Sequence, residues 1–409
     1  MAFANDSRPG SAREVFAAFL KLGLTSFGGP IAHLGYFRDE FVLRRRWIDE
    51  TGYADIVALC QFLPGPASSQ VGFVLGLRRA GGLAGGIAAW LGFTLPSAVI
   101  LLAFALASGT LSGALATGCL HGLKLVAVVV VAQALFGMAR SLTPDIVRAI
   151  ITASAASIVL LSGNAFGQIA AIGMGAALGS WLCRGNGASQ TSYTGKFPIT
   201  RRAGAFALIV FAALLTLPPL VAAVAHNPEL ALFDAFYRSG ALVFGGGHVV
   251  LPLLQAQVVS PGWVSDAAFL NGYGAAQAVP GPLFAFAAYL GALATPMHNA
   301  PLGAMIALIG LFLPGLLLVY GALPFWNALR ARPLAQSAMR GANAAVVGIL
   351  AVAFVDPVCT TAILRWYDAV PALAGFLLLV RWKLPPWIVV VLLAATGAAT
   401  SLLLGTAVK

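Results

Sequence analysis

The sequence predicts an all-α polytopic membrane protein: two homologous halves with inverted topology, carrying Gly/Pro-broken or re-entrant helices near the midplane. Three observations predict it. Apolar residues make up 60% of the 409 positions and charged residues only 9%, with a mean hydropathy of +0.91. A set of short motifs recurs in the same order in both halves. The basic residues gather at loops whose equivalents in the other half are bare.

A soluble domain carries about 25% charged residues, so this composition argues against a soluble enzyme, a nucleic-acid-binding domain and a disordered chain. The 46 glycines and 23 prolines are spread through the apolar stretches, which membrane helices tolerate. The net charge of +11 sits mostly in short clusters between apolar segments, as cytoplasmic loops do; it reads as topology rather than as a nucleic-acid site. Cys60, Cys119, Cys183 and Cys359 lie far apart without ligand spacing, so neither a disulfide nor a metal site is expected. The first dozen residues are polar and no small-residue cleavage site follows, so no removed signal peptide is expected.

The repeat is read from its anchors. Phe27-Gly28-Gly29-Pro30 answers Phe244-Gly245-Gly246-Gly247, and Trp47-Ile48 answers Trp263-Val264. Gln61-Phe62-Leu63-Pro64-Gly65-Pro66 answers Gln277-Ala278-Val279-Pro280-Gly281-Pro282. Phe93-Thr94-Leu95-Pro96 answers Leu311-Phe312-Leu313-Pro314, Gly122 falls opposite Gly341, and Phe136 opposite Phe354. The offset is 216 residues from Gly65 to Gly281 and 219 from Gly122 to Gly341. An offset held within 216 to 219 residues over this many anchors indicates a duplicated unit. The expected division is an N-terminal repeat over 1–185, a cytoplasmic linker over 186–202, a connecting transmembrane helix over 203–225 and a C-terminal repeat over 226–409.

In chain order, Val15–Phe27 is short for a span, which needs about 20 residues, and ends at Gly-Gly-Pro; it reads as a broken element, mirrored at Leu232–Phe244. Ala54–Leu77 lies between two arginine clusters and has Pro64-Gly65-Pro66 at its centre, so it reads as a re-entrant hairpin. Asp266–Gly291 repeats it around Pro280-Gly281-Pro282. The remaining candidate spans are about 83–107, 121–139, 149–163, 165–182, 203–225, 301–323, 341–356, 366–380 and 386–406.

Inversion is predicted by charge. Arg44, Arg45 and Arg46 occupy a loop whose equivalent, Ser260–Asp266, has no Lys or Arg. Conversely Ser108–Leu120 is bare, and its equivalent carries Arg330, Arg332 and Arg340. Opposite charge bias at equivalent loops is the mark of an inverted repeat; Arg365 departs from the pattern.

Broken helices at equivalent places in two halves point to a transport site. A helix start leaves several N–H groups unpaired and carries partial positive charge, and glycines let the backbone approach a ligand. Gly28-Gly29-Pro30, Pro64-Gly65-Pro66, Gly245-Gly246-Gly247 and Pro280-Gly281-Pro282 are therefore candidates to surround a small oxyanion. The bland reading, helix kinking and close packing, fits any one motif alone; four motifs in two-fold correspondence favour the site. Gln61, Gln277, Ser68, Ser69 and Gln70 flank the prolines and offer donors to an anion, or helix–helix hydrogen bonds. His33 and His248 follow the Gly-Gly motifs as anion or proton ligands, or as structural histidines. Lys124 is the one lysine in the apolar run from His121 to Met138; it faces a polar cavity or snorkels outward. Lys21, in the first broken segment, is a further candidate to attract an anion. Asp39 and Glu40 read as surface ion pairs, and Asp234 as the helical partner of Arg238.

No Gly-x-x-x-x-Gly-Lys-Ser/Thr loop, nucleophile–base pair or metal cluster is present in the sequence. An ATP-driven pump, an intramembrane enzyme and a cofactor are therefore not expected. Phe27-Gly28-Gly29-Pro30 with His33, Trp47 after the arginines and Gln61–Pro66 resemble the N-terminal half of the chromate ion transporters. Phe244–His248, Leu251-Pro252-Leu253 and Val279–Phe284 resemble the C-terminal half, so the resemblance spans nearly the whole chain in the long, two-half form of the family. It implies a multi-pass carrier of the bacterial inner membrane that expels chromate and confers resistance, with sulfate as competitor or exchange partner. It also carries the family's motifs onto Phe27 and the glycines and prolines just named. Pro30 is answered by Gly247, which leaves open whether the halves contribute equally. The residues themselves leave rivals open: a carrier of another tetrahedral oxyanion such as sulfate, a passive anion channel, or a structural membrane protein. The expected surroundings are the lipid bilayer and no nucleic acid, with a two-fold homodimer as the default assembly.

Overall fold

The computed structural model describes residues 10–27, 29–108, 113–162, 165–183, 199–225, 227–243, 250–294, 299–326 and 332–403. Among these the backbone forms helices and no strand. The first half comprises α1 (Ala12–Thr25), α2 (Gly29–Phe37), α3 (Glu50–Phe62), α4 (Ala67–Ala80), α5 (Leu83–Ser108), α6 (Ala114–Leu142), α7 (Ile146–Ser162) and α8 (Ala165–Leu182). The connecting helix is α9 (Arg201–Ala225). The second half comprises α10 (Pro228–Ala241), α11 (Val250–Val258), α12 (Asp266–Ala276), α13 (Phe286–Leu293), α14 (Ala300–Ala322), α15 (Pro333–Ala353), α16 (Ala369–Val380) and α17 (Pro386–Leu403).

The helix starts obey the same local chemistry in both halves. Ser11 caps α1 by accepting from the Glu14 N–H at 3.1 Å, and Asn227 caps α10 from Leu230 at 2.8 Å. Asp49 caps α3 from Gly52 at 3.2 Å, and Ser265 caps α12 from Ala268 at 3.2 Å. Each side-chain oxygen satisfies an N–H that the first helical turn leaves unpaired. The predicted breaks are where expected: Pro64-Gly65-Pro66 separates α3 from α4, and Pro280-Gly281-Pro282 separates α12 from α13. Among the described residues, six stretches are long and apolar enough to cross a membrane: 83–108, 114–142, 201–219, 300–325, 333–362 and 386–403.

Two of these are longer than their apolar cores. The predicted span 121–139 is α6, which begins at Ala114, and the predicted 341–356 is α15, which begins at Pro333. Both extend through small and polar residues beside their apolar runs, because alanine and the straight-chain residues favour the helix irrespective of hydropathy.

Within each half the first helix packs on the long proline-containing one, α1 on α5 and α10 on α14. A glycine sets the approach each time. A Cβ on Gly23 would lie 2.7 Å from the Gly92 carbonyl oxygen, and one on Gly240 would lie 2.1 Å from that of Leu311. Beyond this the halves exchange partners. α6 of the first half packs on α16 and α17 of the second, while α15 of the second packs on α7 and α8 of the first. Gly118 and Gly122 meet α17 at Gly397 and Leu393, so the two helices run antiparallel; Gly175 and Gly179 meet α15 at Gly341 in the same sense. Small residues allow this backbone approach, the usual device where lipid offers no hydrophobic drive between helices.

α7 follows α6 after a three-residue turn, 143–145, and packs on α8.

Candidate functional site

The first tip is built where α3 ends at Leu63 and α4 begins after Pro66, which offers no side-chain cap to the new helix. Gly65 has φ +124°, a conformation open to glycine and strained for other residues. Its N–H donates to the Val243 carbonyl of the second half at 2.8 Å. Gln70 Nε2 donates to the carbonyls of Pro64 at 3.0 Å and Gly315 at 2.9 Å, tying the tip to α14. A Cβ on Gly65 would lie 2.9 Å from the Gly315 Cα.

The second tip repeats the design across the halves. Gly281 has φ +103°, and its N–H donates to the Ser26 carbonyl of the first half at 2.9 Å. A Cβ here would lie 2.9 Å from Ser97 Oγ and 3.2 Å from the Phe93 carbonyl oxygen, both on α5. Ser26 directly precedes Phe27 and Val243 directly precedes Phe244. Each Pro-Gly-Pro tip is thus bonded to the chain at the broken element of the opposite half.

The predicted residues divide around these tips. Phe27 is half-buried with its ring centroid 6.2 Å from that of Trp387 on α17. Gly29 and Pro30 open α2, and Gly29 has φ +81°. His33 on α2 is fully buried, edge-on to Phe93 with centroids 5.1 Å apart. The Ser26 backbone faces its ring, but among the described residues neither ring nitrogen reaches a partner in hydrogen-bonding geometry. Pro64 and Pro280 are half-buried, and Pro66 and Pro282 are buried. Ser68 and Ser69 are buried on the first turn of α4, and Ser69 Oγ has no partner. Gln277 is half-buried, with a buried and unpartnered Nε2. Lys124 is half-buried on α6, next to Leu123, whose carbonyl a Cβ on Gly274 of α12 would approach to 2.2 Å.

Other predicted residues stand apart. Gln61, the repeat partner of Gln277, is exposed and does not join the buried polar groups of its tip; Gln70 holds that place instead. Lys21 is exposed on α1. Gly28, Gly245, Gly246, Gly247 and His248 lie outside the described residues. Glu40 corrects the expectation of a surface pair: it is buried at 7% exposure, and one oxygen accepts from both Arg44 and Arg45, the latter at 2.7 Å. Burial opposes its ionisation, yet the two guanidiniums outweigh this and hold the carboxyl below the usual glutamate range. The Asp234–Arg238 pair is present at 2.9 Å.

Sequence reasoning missed Ser26, Thr94 and Ser97. All three are buried; Ser26 and Ser97 border the Gly281 tip, and among the described residues Ser26 Oγ and Thr94 Oγ1 have no partner. The available signal was positional: Thr94 lies inside one repeat anchor, where its equivalent in the other half is Phe312.

Paired helix breaks bonded across two inverted halves, within a bundle of apolar helices, define a multi-pass membrane protein with the architecture of a membrane transporter. The sequence profile of the chromate transporters matches residues 13–180 and 230–398, one region in each half, and the chain belongs to that family. It is 30% identical over 410 residues to the chromate transport protein of Pseudomonas aeruginosa, covering 95% of this chain and 91% of the relative. It is 29% identical over 402 residues to the probable chromate transport protein of Synechococcus elongatus, covering 95% of each. Identity to the chromate transport protein of Cupriavidus metallidurans is 26% over 350 residues, covering 83% of this chain and 80% of the relative. No solved structure matches the chain.

Proposed function

We propose that this chain is a secondary active transporter that exports chromate across the bacterial inner membrane by alternating access and so confers chromate resistance. The observation that carries the reading is the reciprocal bonding of the tips, Gly65 to Val243 and Gly281 to Ser26. Neither half can move against the other without altering both tips. That coupling is what a two-state carrier needs at its substrate site. The substrate fits the chemistry of the place. Chromate is a tetrahedral dianion, and a glycine-rich turn at a helix break offers backbone N–H groups that L side chains would otherwise crowd out. The motif glycines and prolines, including Gly28 and Gly245-Gly246-Gly247, line the path in this reading, with His33, His248 and Lys124 as accessory cationic or donor groups. A two-fold homodimer is the proposed assembly.

The test is uptake of radiolabelled chromate into inverted membrane vesicles, with and without an uncoupler and with sulfate as competitor. Saturable uptake that the uncoupler collapses is the expected result. No uptake in vesicles shown to hold the intact protein would overturn export of chromate.

A further inference from the structure

The two tips are not chemically equivalent. At Gly281 the first half supplies the Ser26 carbonyl, Ser97 and the Phe93 carbonyl; His33 packs edge-on to Phe93, and Thr94 follows Phe93 on α5. Ser26, His33 and Thr94 are fully buried at 0% exposure, and among the described residues Ser26 Oγ, Thr94 Oγ1 and both His33 ring nitrogens have no hydrogen-bond partner. Ser97 donates to the Thr94 carbonyl at 2.9 Å, which holds its oxygen against the tip. Buried polar atoms are normally paired, and each one left alone is costly. A group of them around one glycine turn signals a ligand.

Around Gly65 the equivalent positions are Val243, Val250, Phe312 and Gly315. The Gln70 amide fills the contact there, and its Nε2 is spent on the carbonyls of Pro64 and Gly315. Those two acceptors fix which end of the amide is nitrogen, so the atom left unpartnered is Oε1. Oε1 is an acceptor, which repels an anion. Ser69 Oγ is the one unpartnered hydroxyl on the first turn of α4.

We infer that the chain holds a single tetrahedral-oxyanion site, at the Gly281 tip, recognised by the hydroxyls of Ser26 and Thr94 and by a ring N–H of His33. The Gly65 tip is a structural counterpart closed by Gln70 and Gly315. This rests on the reading that the protein carries a tetrahedral dianion, and it adds where the anion sits and which half chooses it. Duplication supplied two tips; the first half kept the donors and the second half kept the apolar fill.

Equilibrium dialysis of the purified full-length protein with labelled chromate, and separately with labelled sulfate, tests it. One anion per chain is expected. Thr94→Val, which keeps the shape and removes the donor, and Ser26→Ala are each expected to weaken binding about tenfold, the scale of one hydrogen bond to a charged group. Ser69→Ala is expected to bind as the wild type does. Two anions per chain, or unchanged binding in both donor variants, would overturn the single site while leaving anion transport standing. No binding of either anion by the wild type would instead remove the anion reading itself. Thermal melting of each variant without anion separates lost binding from lost folding. Should Thr94→Val not fold, the wild-type stoichiometry and Ser26→Ala still decide.

Discussion

Gly281 donates its backbone N–H to the carbonyl of Ser26 at 2.9 Å, joining the hairpin tip of the second half to the broken helix of the first. Gly65 and Val243 repeat the bond at 2.8 Å with the halves interchanged. Two such bonds, related by the repeat, make the halves interdependent where their helices are interrupted. The exchange of terminal helices, α16–α17 onto α6 and α7–α8 onto α15, does the same at the periphery.

The exchanged contacts tolerate no added volume. A Cβ on Gly122 would lie 2.2 Å from the Leu393 carbonyl oxygen, and one on Gly341 would lie 2.0 Å from that of Gly175. Both obstacles are backbone atoms, so relief requires moving a helix. Gly122→Val and Gly341→Val are each expected to cost about 1–3 kcal/mol or more, the usual penalty of overpacking. Thermal melting in detergent checks this, and an unchanged transition in both variants would remove the close crossing.

Glu40 makes stability depend on acid pH. Its folded carboxyl is held below the ordinary value of 4.5, despite burial, by Arg45 and Arg44. A depressed folded value means the contribution is complete above about pH 4.5 and is lost as the pH falls through the lower folded value. Glu40→Gln is expected to lower the melting temperature at pH 7 and to lose less than the wild type on acidification. The measurement is the melting temperature of both proteins from pH 7 down to pH 3.

Asp368 is a second junction between the halves. Its Oδ1 lies 3.0 Å from His121 Nε2 on α6, and its Oδ2 accepts from the backbone N–H groups of Leu364 at 3.0 Å and Arg365 at 2.9 Å. Asp368→Ala removes every one of these acceptors and is expected to destabilise by roughly 1–3 kcal/mol. Asp368→Asn keeps one acceptor oxygen and should lose less. Melting curves of the two variants that coincide with the wild type would contradict the assignment.

Much of this arrangement is readable from the residues alone. The Pro-Gly-Pro tips, the shortness of α1 and α10 and the Asp234–Arg238 pair follow from local rules about proline, span length and helical spacing. The exchange of helices does not. Gly118 and Gly122 announce that a backbone comes close, but the spacing is silent on whose backbone it is. Glu40 looked like a surface residue because its arginines are adjacent in sequence, whereas folding turns its carboxylate inward and leaves Arg44 largely outside. Ser26 and Thr94 were passed over because a single hydroxyl in an apolar run commonly bonds its own helix backbone; only the fold reveals that theirs do not.

The central claim is that the paired glycine tips form the transport path, and Gly281→Val tests it most directly. Valine at φ +103° carries left-handed strain of roughly 1–2 kcal/mol and meets Ser97 and the Phe93 carbonyl. Chromate uptake is measured in inverted vesicles holding equal amounts of wild-type and variant protein. The account predicts that uptake falls about tenfold or more while membrane insertion is retained. Uptake at the wild-type rate by Gly281→Val would contradict it.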